Sequence, residues 1–146
     1  MGFSVSGSAA IIFLGFLAAF GMVYTAASNG YEQVTDANQR SQEALLDQQN
    51  TDIEITNLTF VNDDTLHIHV NNTGSTSLVV NDTDILVDNE YLTEFDYKRV
   101  DGDPGRDLWL PGEELHLKYT YPTNQSNPPE HVRIVSGPGV ADSGVV

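Results

Sequence analysis

Ala9–Ala27, AAIIFLGFLAAFGMVYTAA, is an apolar run of about 19 residues without a charge, and its polar groups, Tyr24 and Thr25, sit near its end. At about 1.5 Å rise per residue such a run is about 28 Å long as a helix, close to the ~30 Å hydrocarbon core of a bilayer. Nothing else in the 146-residue chain resembles it. Everything after Ala27 is polar, acidic and punctuated by turns. The division this predicts is a membrane anchor over 1–27, a helical stalk over 28–51 and a water-soluble domain over 52–146.

Within the anchor, Ala9, Ile12, Gly15, Ala19, Met22 and Ala27 mark the membrane-embedded turns. Gly15 and Ala19 form a small-xxx-small pair, which lets a second helix approach closely. Ser4, Ser6 and Ser8 offer hydroxyls for N-capping. Met1–Ser8 has no Lys or Arg, and the first basic residue is Arg40. A secretory signal normally has a basic n-region, so a retained anchor is expected, with a cleavage after the small residues Thr25-Ala26-Ala27 as the alternative.

Lys and Arg are too scarce to set the orientation by charge. Asn57-Leu58-Thr59, Asn71-Asn72-Thr73, Asn81-Asp82-Thr83 and Asn124-Gln125-Ser126 all match the N-glycosylation pattern. Asn57, Asn71, Asn81 and Asn124 therefore place the C-terminal domain outside the cell membrane, facing the pseudoperiplasm, with the N-terminus cytoplasmic in a single-pass topology.

Ser28–Thr51 lacks proline and is rich in Gln, Glu, Ala and Leu. Tyr31, Val34, Ala37, Ser41, Ala44 and Leu45 recur at three-to-four-residue spacing, a thin stripe that suits a solvated helix with or without a coiled-coil partner, so a homo-oligomer is open. Asn29-Gly30 could interrupt it just outside the membrane. Helical from Gly30 to Gln48, it would lift the domain about 28 Å above the bilayer.

From Asp52 the apolar period becomes two. Ile53 and Ile55 alternate with polar residues, a phase slip near Asn57 signals a bulge, and Leu58 and Phe60 resume. Leu66-His67-Ile68-His69-Val70, then Leu78 and Val80, Ile85 and Val87, Leu115, Leu117, Tyr119 and Tyr121, and Val132 and Ile134 continue the alternation. Turn chemistry separates them at Asn71–Gly74, Asp88–Glu90, Asp101–Asp107 and Pro111–Glu113. About seven short strands predict an all-β, immunoglobulin-like antiparallel sandwich with Trp109 at its core and GPGVADSGVV as a tail.

Asp and Glu outnumber Lys and Arg 21 to 6, giving a formal charge of -15. Such a surface repels nucleic acid and anionic lipid and suits a high-salt environment. Stability should then fall on desalting, because self-repulsion is unscreened. Without cysteines there is neither a disulfide framework nor a thiolate metal site.

Three constellations invite a chemical reading. His67 and His69 share a strand face at a spacing a metal could bridge, but no third ligand is evident, and His116 and His131 lie far away in sequence. Asp101, Asp103 and Asp107 offer oxygens reminiscent of a calcium loop without its full ligand set or distal glutamate. No serine sits in a G-x-S-x-G elbow and no phosphate-cradling loop exists. The residues predict no enzyme, no cofactor and no metal.

The opening MGFSVSGSAAIIFLGFLAAFGMVY, with LWLPGEELHL and RIVSGPGVADS later, resembles the archaellum stator subunit family ArlF (FlaF) in its haloarchaeal form. The resemblance extends over the whole layout. It implies one membrane anchor and an immunoglobulin-like domain outside. It also implies binding to the S-layer protein, to the sister stator subunit ArlG and to other archaellum motor components, so that the filament turns and the cell does not. A rotary motor needs a reaction torque, which a lone helix drifting in a fluid bilayer cannot supply.

Archaellins and pilins share the helix-then-β layout, but their precursors carry a basic leader before the helix. The absence of Lys and Arg from Met1–Ser8 therefore favours a fixed anchor over a pilin-like subunit that polymerises through its N-terminal helix. A membrane-tethered metal- or solute-binding module, using the histidines or the aspartate loop, is the third reading.

Overall fold

The computed structural model describes residues 3–122 and 128–146, with side chains from residue 6 onward. The chain divides into two compact units, Met1–Glu43 and Ala44–Val146. The helix α1 runs without a break over Phe3–Asn50. Ser6 and Ser8 lie within the helix rather than ahead of it, and the side chain of Ser4 lies outside the described residues. The expected interruption at Asn29-Gly30 is absent: Gly30 is helical, at the ~1 kcal/mol that glycine costs relative to alanine in a helix interior.

In the first unit the large apolar side chains from Ile11 to Tyr24 remain 56–77% exposed. Thr25 satisfies its own hydroxyl by donating to the Gly21 carbonyl at 2.9 Å, so it can sit at the edge of an apolar medium without an unmet donor.

In the second unit every strand pairing is antiparallel. Among the described residues the strands are β1 (Ile53–Val61), β2 (Thr65–Asn72), β3 (Leu78–Val79), β4 (Asp84–Val87), β5 (Glu90–Leu92), β6 (Tyr97–Val100), β7 (Leu108–Trp109), β8 (Glu114–Thr120), β9 (His131–Val135) and β10 (Ala141–Val145). One sheet has the order β1-β2-β8-β6, the other β10-β9-β4-β5, and β3 pairs with β7 in a short third ladder. The antiparallel sandwich is therefore as expected.

The core follows the alternation. Leu66, Ile68, Val70, Leu115, Leu117 and Val100 from one sheet meet Ile85, Val87, Val132 and Ile134 from the other, all buried, with Trp109 fully enclosed. The phase slip is a real bulge. Ile55 pairs with Val70 but Asn57 with His69, leaving Thr56 unpaired in register. The freed Ile55 N–H donates to Asp142 Oδ2 on β10 at 2.7 Å.

Within the expected GPGVADSGVV tail, Ala141–Val145 is instead the edge strand β10. Its residues are too small and polar to show an apolar period, and it is held by its ladder to β9. At Gly144 a Cβ would lie 2.5 Å from Leu58 Cδ1, so the leucine side chain would have to move aside for any larger residue.

Turn residues fix the register. Asp88 and Asn89 both take positive φ (49° and 68°), the twist-compatible pair for a two-residue hairpin between β4 and β5. Pro111 and Gly112 form a turn closed by Glu113 N–H to the Leu110 carbonyl at 3.1 Å, with Gly112 at φ 83°. Glu113 then accepts from Arg106 Nη2 at 2.7 and 2.9 Å and from the Leu110 amide at 2.8 Å. Its own carbonyl takes the Trp109 indole N–H at 2.8 Å. The LWLPGEE segment is thus a self-bonded corner that seats the tryptophan.

The last turn of α1 belongs to this second unit. The Asn50 carbonyl accepts from the amides of Ser75 (2.8 Å) and Thr76 (3.2 Å), and the Asp52 carbonyl accepts from Thr73 (3.0 Å) and Gly74 (2.9 Å). Thr51 Oγ1 donates to the Asp47 carbonyl at 2.6 Å. Carbonyls that a helix end leaves unmet are satisfied by the loop after β2. Gly74 makes this approach possible, because a Cβ there would stand 2.4 Å from the Asp52 nitrogen. Asn72, fully buried, ties the loop down: its Nδ2 donates to the Thr76 carbonyl (2.9 Å) and the Trp109 carbonyl (3.2 Å).

Candidate functional site

Two surfaces carry chemistry that the chain itself does not use up. The first is the apolar half of α1. Ala9, Ile12, Gly15, Ala19, Met22 and Ala27 are all exposed along it, and the helix is long and apolar enough to cross a membrane. Ile12, Gly15, Phe16 and Ala19 line a shallow groove of about 310 Å³, the indentation that the small-xxx-small pair leaves.

The second surface is the outward face of β2, β8 and β6. Leu66, Ile68 and Val70 point inward, so His67 and His69 point outward; Leu115 and Leu117 do the same for His116. The ladder sets His69 opposite His116 and His116 opposite Arg99. In the adjacent row His67, Lys118 and Tyr97 are level. The two histidines seen in sequence thus gain a third, 47 residues beyond His69, through strand pairing.

The contacts are close. His67 Nδ1 lies 3.0 Å from His116 Nε2, and the His69 ring stacks on His116 at 4.0 Å between centroids. His69 Nδ1 meets Glu114 Oε1 at 2.9 Å. Tyr97 stands edge-on to His116 at 5.1 Å and carries the Arg99 guanidinium 4.1 Å above its ring. Burial, then the charges of Lys118 and His69, pushes the His67 imidazole below its ordinary pKa. His116 is lowered by burial first and by the neighbouring His69 and His67, with Glu114 opposing. Both rings are therefore held towards the neutral form. Stacked rings do not aim their nitrogens at one point, and among the described residues no group of three or more His, Asp or Glu is placed to hold a metal.

The aspartate loop is likewise dispersed. Asp101 accepts from the Glu114 amide (3.0 Å), Asp103 from Gly105 (2.8 Å) and Asp107 from Asn81 (3.0 Å). Each carboxylate closes a different piece of backbone. Of the sequons, Asn57 is exposed at the bulge, Asn81 is exposed in the 3-10 turn Val80–Asp82, and Asn71 is half-buried within β2. Asn124 lies outside the described residues. His131 is on the other sheet and joins none of these groups.

Comparison with known proteins places the chain. No curated protein matches it. Among solved structures it is similar to a chain of the archaeal flagellum of Methanospirillum hungatei, with TM-score 0.64 and 13% identity over 94% of this chain and 89% of that one. It is also similar to the archaellum periplasmic stator protein FlaG from Sulfolobus acidocaldarius, at TM-score 0.49 and 15% identity over 66% of this chain and 99% of that one. A third similarity is to the FlaF and FlaG stator complex of the same organism, at TM-score 0.47 and 14% identity over 64% and 87%. Residues 2–143 match the family model of archaeal-type flagellin. The chain belongs to the archaeal-type flagellin family and is an archaellum component.

Proposed function

We propose that this protein is a fixed, non-enzymatic anchor of the archaellum motor. The apolar half of α1 holds the membrane in a single pass with the N-terminus cytoplasmic. The sandwich lies outside and binds the S-layer protein, alongside the sister stator subunit ArlG. The observation that carries this reading is where the apolar surface stops. Its exposed large side chains are dense from Ile11 to Tyr24, whereas between Ala27 and Asn50 only Tyr31, Val34, Leu45 and Leu46 are both large and apolar. That is one bilayer of hydrophobic length followed by a polar helix.

The binding of ArlG and of the S-layer rests on the resemblance of the opening stretch and of LWLPGEELHL to the ArlF family. Exposed glycans on Asn57 and Asn81 would accompany an outer location. The seating of the last helical turn by residues 73–76 suits a load-bearing role, since it fixes that turn to the sandwich by backbone hydrogen bonds.

The rival reading is a filament subunit, and the exposed apolar half-helix favours it, because copies of the chain would cover that surface as well as lipid does. Two fractions separate the readings. Detergent extracts of the source cells, captured on the full-length tagged chain, should retain the S-layer protein and ArlG. Purified filaments should lack the chain. Its recovery as a major repeating subunit of filaments would establish the rival.

A further inference from the structure

The register on the outer face of the β1-β2-β8-β6 sheet lines up two rows of four residues. Asn57, His69, His116 and Arg99 form one, and Thr59, His67, Lys118 and Tyr97 the other. Neither row contains a carboxylate, but two stand against them: Glu114, on the same face of β8 as His116, lies 2.9 Å from His69, and Asp96 lies 3.6 Å from Lys118. The eight positions carry a formal charge of +2 from Arg99 and Lys118; with the whole chain at -15, the remainder carries -15 - 2 = -17. The cations are not equally engaged. Arg106, elsewhere in the domain, is held by both oxygens of Glu113, and Lys118 stands 3.6 Å from Asp96. Arg99 has no carboxylate partner among the described residues, and its buried Nε has no hydrogen-bond acceptor. A guanidinium stacked on Tyr97 is oriented, partly desolvated and uncompensated, a costly state unless an anion completes it.

We propose that this face docks a carboxylate-bearing protein segment, with Arg99 as the central contact and Lys118, Tyr97 and the imidazoles of His67, His69 and His116 around it. Charge complementarity selects the partner. Glu114 stands against His69 and Asp96 against Lys118, so within the ~10 Å screening length at 0.1 M salt the charge left for a short acidic segment to read is that of Arg99. A nucleic acid, whose field is extended, meets the -17 of the rest. The composition also fits an interface centre, since Tyr and Arg are enriched at hot spots and planar aromatic rings lose little entropy on binding. The guanidinium fork matches a carboxylate in two parallel hydrogen bonds, and the imidazoles add donors. The inference holds whether the chain anchors a motor or builds a filament.

The test uses the full-length chain in detergent micelles, with hexaglutamate as the probe and the four imidazoles observed by side-chain nuclear magnetic resonance. His131, on the opposite sheet, is the internal control. The expected result is saturable shifts of His67, His69 and His116 with His131 unmoved, and no shifts with hexalysine. Arg99→Gln should weaken the titration about tenfold, as loss of one charge-assisted pair does, while Arg133→Gln leaves it unchanged. If Arg99→Gln does not fold, Lys118→Gln should weaken it about threefold. Equal movement of all four histidines, no movement at all, or wild-type titration by a folded Arg99→Gln chain would overturn the proposal. Shifts of the three histidines on raising protein concentration alone would also overturn it, by assigning the face to a second copy.

Discussion

The two ends of α1 are one helix in two situations. Towards its N-terminus the large apolar side chains are exposed and find no partner in the chain. Over its last turn the exposed groups are backbone carbonyls, and the loop 73–76 satisfies them. The first end is incomplete without lipid or a neighbouring helix. The second is completed by the sandwich. The difference separates what the fold supplies from what the surroundings must supply, and each half can be damaged without the other.

The largest effect is expected inside the sandwich. Leu117→Ala removes a fully buried side chain between the sheets and should cost about 2–5 kcal/mol of domain stability, read from Trp109 fluorescence during urea unfolding of the full chain. Its partition into membranes should not change. Leu17→Arg is the converse, placing a charge mid-span at an apparent cost of about 2.5–3.5 kcal/mol in insertion. Carbonate extraction should then release the chain while the urea midpoint of the domain stays fixed. If Leu17→Arg moved that midpoint, the two ends would not be independent.

Gly74→Ala addresses the joint itself. Its Cβ would stand 2.4 Å from the Asp52 nitrogen and 2.6 Å from the Asn50 carbonyl oxygen, so backbone must shift. A cost of about 1–3 kcal/mol is expected, with faster amide hydrogen exchange at Ser75 and Thr76, whose partner is the Asn50 carbonyl. Unchanged exchange at those amides would remove the joint from the account.

The smallest effect is the pH dependence of the histidine face. His67 and His116 have pKa values below the ordinary 6.5 in the folded chain. Near that value the unfolded chain binds more protons, so stability is full above it and falls as pH drops below it, until the folded pKa values are reached. The groups facing these rings are His69 from β2, Glu114 and Lys118 from β8, and Tyr97 and Arg99 from β6. His67→Gln with His116→Gln should flatten the stability profile just below pH 6.5. Hexaglutamate should raise both pKa values, since a carboxylate favours the imidazolium.

Much of this architecture was legible because it is periodic. The span announced itself by length, and the strands by Leu66-His67-Ile68-His69-Val70 and Leu115-His116-Leu117. The bulge showed as the slip near Asn57. β10 was invisible because Ala141–Val145 has no apolar alternation and is held by backbone and by Asp142. The joining of His116 to His67 and His69 was half legible: alternation turns it outward, but only the β2–β8 register brings it opposite His69. Asp101, Asp103 and Asp107 looked like a ligand set because spacing hides direction; in three dimensions each faces a different amide. Asn72 gave no signal, since a buried asparagine bonding a tryptophan carbonyl reads as an ordinary turn residue.

The most direct test of the anchor reading is crosslinking in intact cells followed by separate recovery of filaments and envelope. The account predicts the full-length chain in the envelope fraction, crosslinked through its sandwich to the S-layer protein and missing from filaments. Its presence along the filament at subunit stoichiometry, without an S-layer crosslink, would contradict it.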